Sequence, residues 1–257
     1  MRFFYVTCPF LLLLASRVGA MDFEIVHGNK SFPEVALTFD GDWLDNAADQ
    51  ILDALRAEGI HSTFFLTGRF IRKYPETVKR IVMDGHEVGN HTETHPLWAE
   101  VQEGVYTLVT EVTKETVARQ LLPVKTRFEK VSGTVMAPFW RPPYGGRTSI
   151  INRWAHELGF TSVYWGIDSL DWVPGDHELA EAARERVERI VEMGSQPGTA
   201  NGLIILMHVG SVGKKREPLP VLHAMLPEII AIYESNGYVF VSISELIDDD
   251  FFGDDRR

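Results

Sequence analysis

An α/β fold built on one parallel sheet is what this sequence predicts, and three observations carry the prediction. Short apolar and β-branched runs alternate with segments of helical periodicity, the pattern of parallel strands joined by crossover helices. Those runs repeatedly close on polar or charged residues, among them Asp40, His91, Arg141, Asp168 and His208. The chain has 257 residues, 45% of them hydrophobic, which suits one large domain with a substantial core.

The first twenty residues read as a leader. Met1-Arg2 is a charged start, residues 3–15 are an apolar run, and Val18-Gly19-Ala20 is a small-residue cleavage site. The run is short for a spanning helix, so the expectation is a signal peptide at 1–20, a mature chain of 21–257 and no stable membrane insertion after cleavage. That places the protein in the cell envelope or outside the cell; a translation start at Met21 would instead leave it in the cytoplasm. The single cysteine, Cys8, lies in the leader, so the mature chain has no disulfide, thiolate nucleophile or cysteine metal ligand. Formal charge is −11, and removing Arg2 and Arg17 from the 25 basic residues leaves 23 against 36 acidic ones. Such a balance argues against nucleic acid or an anionic membrane as partner and favours a neutral or cationic substrate.

The run 35–39 is a buried-strand pattern ending in Asp40-Gly41-Asp42-Trp43. Glycine allows a sharp turn that brings both carboxylates to the strand's C-terminal mouth, where barrel enzymes keep their chemistry. Read blandly, the same residues make a turn, with Asp42 and Asp45 favouring the start of a helix over about 46–58. A second strand is expected at 63–67 and a helix over about 75–84. A strand around Glu87 and Val88 then leads into His91-Thr92-Glu93-Thr94-His95. Two histidines four apart share one face of a helical turn and can point at one cation. Imidazole suits zinc, and cobalt or nickel can substitute, but a carboxylate must come from elsewhere. Two histidines at this spacing also simply decorate a helix.

A helix is expected over about 101–126, with Glu103, Glu111 and Glu115 on a solvated face. Residues 135–140 resume the core and run into Arg141-Pro142-Pro143-Tyr144-Gly145-Gly146, a rigid turn that can hold one cation in place. After a helix near 149–158, the strand 161–165 leads to Asp168-Ser169-Leu170-Asp171-Trp172, followed by a charged helix over about 176–193. The stretch 194–202 reads as a linker too short to separate domains. The apolar strand 203–208 ends on His208, a core histidine on the bland reading and a functional one if the other strand ends share its site. A helix over about 221–235, a strand at 238–241 and an acidic tail complete the chain.

In their order, Thr38-Phe39-Asp40-Gly41-Asp42, the His91–His95 stretch, Arg141-Pro142-Pro143-Tyr144, Asp168-Ser169-Leu170-Asp171-Trp172 and Leu206-Met207-His208 resemble the motifs of the polysaccharide deacetylase family, carbohydrate esterase family 4 with its NodB-homology domain. The resemblance spans about residues 34–246. It implies a single-domain distorted (β/α) barrel that binds one divalent metal, usually zinc, through Asp42, His91 and His95. It further implies Asp40 as the base, Arg141 holding Asp40, His208 as the acid and Asp171 orienting and charging His208. The Tyr144 backbone N–H would face the developing oxyanion, and Trp172 and Leu206 would wall a pocket for an acetyl methyl. The family's commoner first motif has two adjacent aspartates before glycine, whereas here glycine stands between them; a one-residue gap between base and ligand also occurs in the wider family. The expected activity is metal-dependent removal of N-acetyl groups from a glycan, chitin oligomers or peptidoglycan first. A hydrolase of a small cyclic amide or imide and a carbohydrate binder without turnover are the alternatives.

Overall fold

The structure, a computed structural model, describes residues 23–102, 105–109, 111–173, 179–210 and 220–247. The leader at 1–20, Glu103 and the acidic tail lie outside the described residues. The chain runs β1 (Glu24–Ile25), β2 (Glu34–Gly41), α1 (Ala48–Ala57), β3 (Thr63–Leu66), α2 (Gly68–Lys73), α3 (Pro75–Met83) and β4 (Glu87–Asn90). It continues with β5 (Ala99–Gln102), β6 (Val105–Leu108), α4 (Lys114–Ser132), β7 (Phe139–Trp140), α5 (Ser149–Glu157) and β8 (Thr161–Val163). The last elements are β9 (Ile167–Asp168), α6 (Ala180–Gly194), β10 (Leu203–His208), α7 (Pro220–Ser235), β11 (Val239–Phe240) and α8 (Ile243–Leu246).

Nine of the strands form one sheet in the order β1-β8-β7-β4-β3-β2-β10-β9, with β11 added to the start of β2. Every pairing in it is parallel. It curls into a half-barrel whose edges are β1 and β9, the distorted (β/α) barrel of a single domain.

The period-2 alternation of the strands decides what fills the barrel. On β2, Val35, Leu37 and Phe39 pack outward under the helices with Ile51, Leu52 and Leu55 of α1 and Phe70 of α2. Ala36 faces the other way, and so do Phe65, Phe139, Val163 and Ile204 from the neighbouring strands. Ile243, Leu246 and Ile247 close the bottom of this inner layer. The next inward positions along the strands are polar: Thr38 and Asp40 on β2, Arg141 just past β7 and His208 on β10. Since all the strands are parallel, those positions meet at one mouth. Burial of both sheet faces also explains why β2 reads as a continuous apolar run rather than an alternating one.

Three sequence expectations are corrected. Strands β5 and β6 (99–102 and 105–108) pair antiparallel, with Val101 opposite Tyr106, instead of starting a long helix. The helix begins only at Lys114, where the Thr113 side chain accepts from the Thr116 N–H, and it runs on to Gly133 at φ +75°. Its buried residues, Val117, Leu121, Val124 and Phe128, keep helical spacing to the end. The His91–His95 stretch is not helical: Thr92 and His95 lie at φ +68° and +57°, which a helix does not tolerate. A helix not foreseen, α2, follows β3, capped by the Thr67 side chain and stopped before Pro75. Among the described residues, no helix is long and apolar enough to cross a membrane.

Candidate active site

Asp40 and His208 are register partners at the ends of β2 and β10, so their side chains stand next to each other at the mouth. A cavity of about 280 Å³ opens there, and its walls include Asp40, Asp42, His91, His95, Tyr144, Trp172, Leu206 and His208.

Arg141 holds Asp40 from below. Its Nη1 donates to Asp40 Oδ1 at 2.8 Å and its Nη2 to Thr38 Oγ1 at 2.9 Å, while the guanidinium lies over the Phe65 ring. Arg141 is fully buried. A buried cation without an anion is costly, so Arg141 and Asp40 each require the other's charge. Burial alone would push the Asp40 carboxyl up, but Arg141, with His91 and His208 nearby, brings it below the usual carboxylate range.

His208 is the converse case. Its Nδ1 is 2.7 Å from Asp171 Oδ1, and its backbone N–H donates to Asp171 Oδ2 at 2.9 Å. Asp171 sits just after Leu170, which takes φ +56° and turns the chain back under β10. Burial would depress the imidazole, yet Asp171, then Asp40 and Asp168, outweigh it and raise His208 from 6.5 to about 9. The mouth therefore holds a carboxylate kept ionised beside an imidazole kept protonated.

His91 and His95 converge without a helix. The His91 N–H donates to Leu66 O at 3.0 Å, continuing the β4 pairing by one residue. The two Nε2 atoms come within 3.1 Å of each other. His91 Nδ1 lies 2.8 Å from the Arg141 carbonyl, which can only accept, so Nδ1 donates and Nε2 is the atom turned to the mouth. Burial, followed by the neighbouring His91, depresses His95 to about 3 against the pull of Asp42 and Asp40. Two imidazoles whose Nε2 atoms meet beside an open cavity suit a divalent metal. Asp40 Oδ2 is 3.4 Å from His91 Nε2. Asp42, which also lines the cavity, gives both carboxylate oxygens to Arg69 Nε and Nη2. Among the described residues, no three His, Cys, Asp or Glu side chains converge tightly enough to enclose an ion.

Tyr144 occupies the left-handed region at φ 56°, and its exposed ring meets His95 edge-on at 4.6 Å. Trp172 and Leu206 also line the cavity, with Leu206 in register with Asp168. Sequence reading passed over Arg69 on α2, which opens directly after the C-terminal end of β3, a position that would have singled it out. It gave no role to Trp43, Trp165 or the Asp168 side chain, all of which line the cavity. Asp168 is raised by burial, against the lowering pull of His208.

A parallel half-barrel whose strand ends juxtapose an ionised carboxylate, a protonated imidazole and a histidine pair is equipped for acid–base chemistry on a bound substrate. The sequence profile of the polysaccharide deacetylase family matches residues 27–163, and the chain belongs to that family. It is similar to a peptidoglycan-N-acetylglucosamine deacetylase of Bacillus cereus, at 31% identity over 83% of this chain and 68% of the relative. In fold it resembles the family 4 carbohydrate esterase PdaA of Bacillus subtilis, with a TM-score of 0.68 at 24% identity over 87% of this chain and 84% of the other. It also resembles a family 4 pseudoenzyme from Bacillus anthracis, with a TM-score of 0.69 at 24% identity over 88% and 69%.

Proposed function

We propose that this chain removes acetyl groups from N-acetylated amino sugars of a glycan in the cell envelope. The B. cereus relative, named for peptidoglycan N-acetylglucosamine, makes that polymer the first candidate. The observation that carries the reading is the register pair Asp40–His208, one charged and the other protonated by separate buried partners. Asp40 takes the proton of the attacking water, and Arg141 keeps it ionised and aimed. His208, protonated through Asp171, gives its proton to the leaving amine nitrogen. The Tyr144 backbone N–H faces the acetyl oxygen as negative charge grows on it. Trp172 and Leu206 enclose the methyl group and exclude water. His91 and His95, with Asp42 as the carboxylate, would hold a divalent metal, zinc or alternatively cobalt or nickel, which when bound supplies a Lewis acid for the acetyl carbonyl. The leader at 1–20 delivers the mature chain to the envelope.

The test is acetate release from peptidoglycan, chitooligosaccharides, acetylxylan and cyclic imides, with metal-depleted protein as control. Release from the N-acetylated glycans is expected. Turnover confined to cyclic imides would overturn the glycan reading.

A further inference from the structure

Asp42 is the residue on which the site's metal chemistry turns, and its carboxylate is already in use. Arg69 presents its fork to both oxygens, Nε to Oδ1 and Nη2 to Oδ2, the bidentate geometry in which arginine binds carboxylates best. The guanidinium is itself held, with its carbon 4.0 Å from the centroid of the Trp43 ring. The helix behind it is anchored too: Thr67 caps α2, Phe70 and Ile71 are fully buried, and the Gly68 N–H donates to Thr92 O at 3.0 Å. Arg69 is therefore a fixed cation built into the wall that also carries the histidine loop.

The residue between the two aspartates explains why Asp42 leans this way. A Cβ at Gly41 would come within 2.7 Å of Leu66 Cδ2 and 3.3 Å of the Phe70 ring, so the backbone here is pressed against β3 and α2. Asp42 leaves that contact beside α2.

We propose that Arg69 competes with divalent metal for Asp42, so that metal uptake is an exchange in which the cation displaces the guanidinium and Arg69 sets the chain's metal affinity. The proposal rests on the reading of His91 and His95 as metal ligands. An arginine behind a ligating carboxylate can instead support it, because a carboxylate has lone pairs to spare. Two observations favour competition. The fork engages both oxygens rather than one, and among the described residues Asp42 does not converge with the imidazoles into a three-donor group. A fixed positive charge beside a dication adds repulsion.

Zinc affinity, measured by competition with a chromophoric chelator on the full chain, decides the matter without reference to turnover. Arg69→Gln should tighten binding by about 10- to 100-fold, the range in which groups behind metal ligands act. In Arg69→Gln/Asp42→Asn the tightening should vanish, since the freed carboxylate is its source. Arg69→Lys keeps the charge but loses the fork and should show part of the gain; it carries the test if Arg69→Gln melts early without metal. Weaker zinc binding by Arg69→Gln would make Arg69 a supporter of the ligand and overturn the proposal. A gain that survives Asp42→Asn would also overturn it, as a general charge effect. His91→Ala separates the premise from the proposal. Undiminished zinc binding there removes the histidine pair as ligands, whereas a His91→Ala loss with no response to Arg69→Gln removes only the exchange.

Discussion

At the scale of single residues, the mouth of the barrel is a division of charge enforced by burial. Asp40 and His208 are adjacent in register, yet one keeps its charge through Arg141 and the other its proton through Asp171. Asp40→Asn keeps the shape and removes the proposed base, and kcat should fall by about 10²–10⁴-fold with metal binding retained. The rate should decline as pH rises through about 9, the His208 value. Asp171→Asn deletes the charge that raises His208 and leaves the burial that lowers it, so the alkaline limb should move to lower pH. A limb that stays in place would mean that another group supplies the proton. The same shift has a stability sign: the charged pair contributes fully below 6.5 and its contribution is lost as pH rises through about 9.

At the scale of elements, the histidine loop depends on a helix distant in sequence. Gln120 of α4 accepts from the Glu93 and Thr94 backbone N–H groups at 3.0 Å each, and its own Nε2 donates to Thr94 Oγ1 at 3.0 Å. Glu93 adds ion pairs to Arg72 and Arg127. Two residues of this loop hold positive φ without being glycine, so the anchors carry strain that the loop alone would relieve. Gln120→Ala should cost about 0.5–1.5 kcal/mol, because two part-buried to exposed backbone donors exchange their side-chain partner for water, and thermal melting would register it. Gly41→Ala tests the turn between the two aspartates. Gly41 is not among the residues at positive φ, and the obstacle is the 2.7 Å approach to Leu66 instead. Its cost should be about 1–3 kcal/mol of overpacking, measured the same way.

At the scale of the molecule, an acidic chain of net charge −11 carries buried and half-buried cations at its mouth, among them Arg141 and Arg69. Each is matched by a carboxylate, so the site presents little free positive charge to an anionic polymer. Deacetylation exposes amines on the glycan, and an acidic surface attracts such a product. Acetate release from peptidoglycan should therefore slow as the polymer becomes deacetylated, and 0.5 M salt should relieve part of that slowing through screening. Sequencing the N-terminus of the protein from its native host should find it beginning after Ala20; a chain beginning at Met21 would remove the envelope assignment.

What this sequence determined by itself was local. Apolar runs that close on charged residues are strands with chemistry at their ends, because burial of both sheet faces demands the run and the solvent-facing mouth permits the charge. The parity of the strands then put Thr38, Asp40, Leu206 and His208 inward, a pattern legible from spacing alone. Where local signals were mixed, the reading failed. Residues 99–113 carry β-branched and helix-forming residues together, and the antiparallel strand pair became evident only with the structure. The pairing of the charges was likewise a tertiary decision. The motif resemblance implied that Arg141 holds Asp40, but nothing in the order of residues says that Gln120 holds the histidine loop or that Asp42 turns to Arg69. Those partners lie 101, 27 and 27 positions apart along the chain, and only the curvature of the sheet and the packing of helices on it bring them within bonding distance.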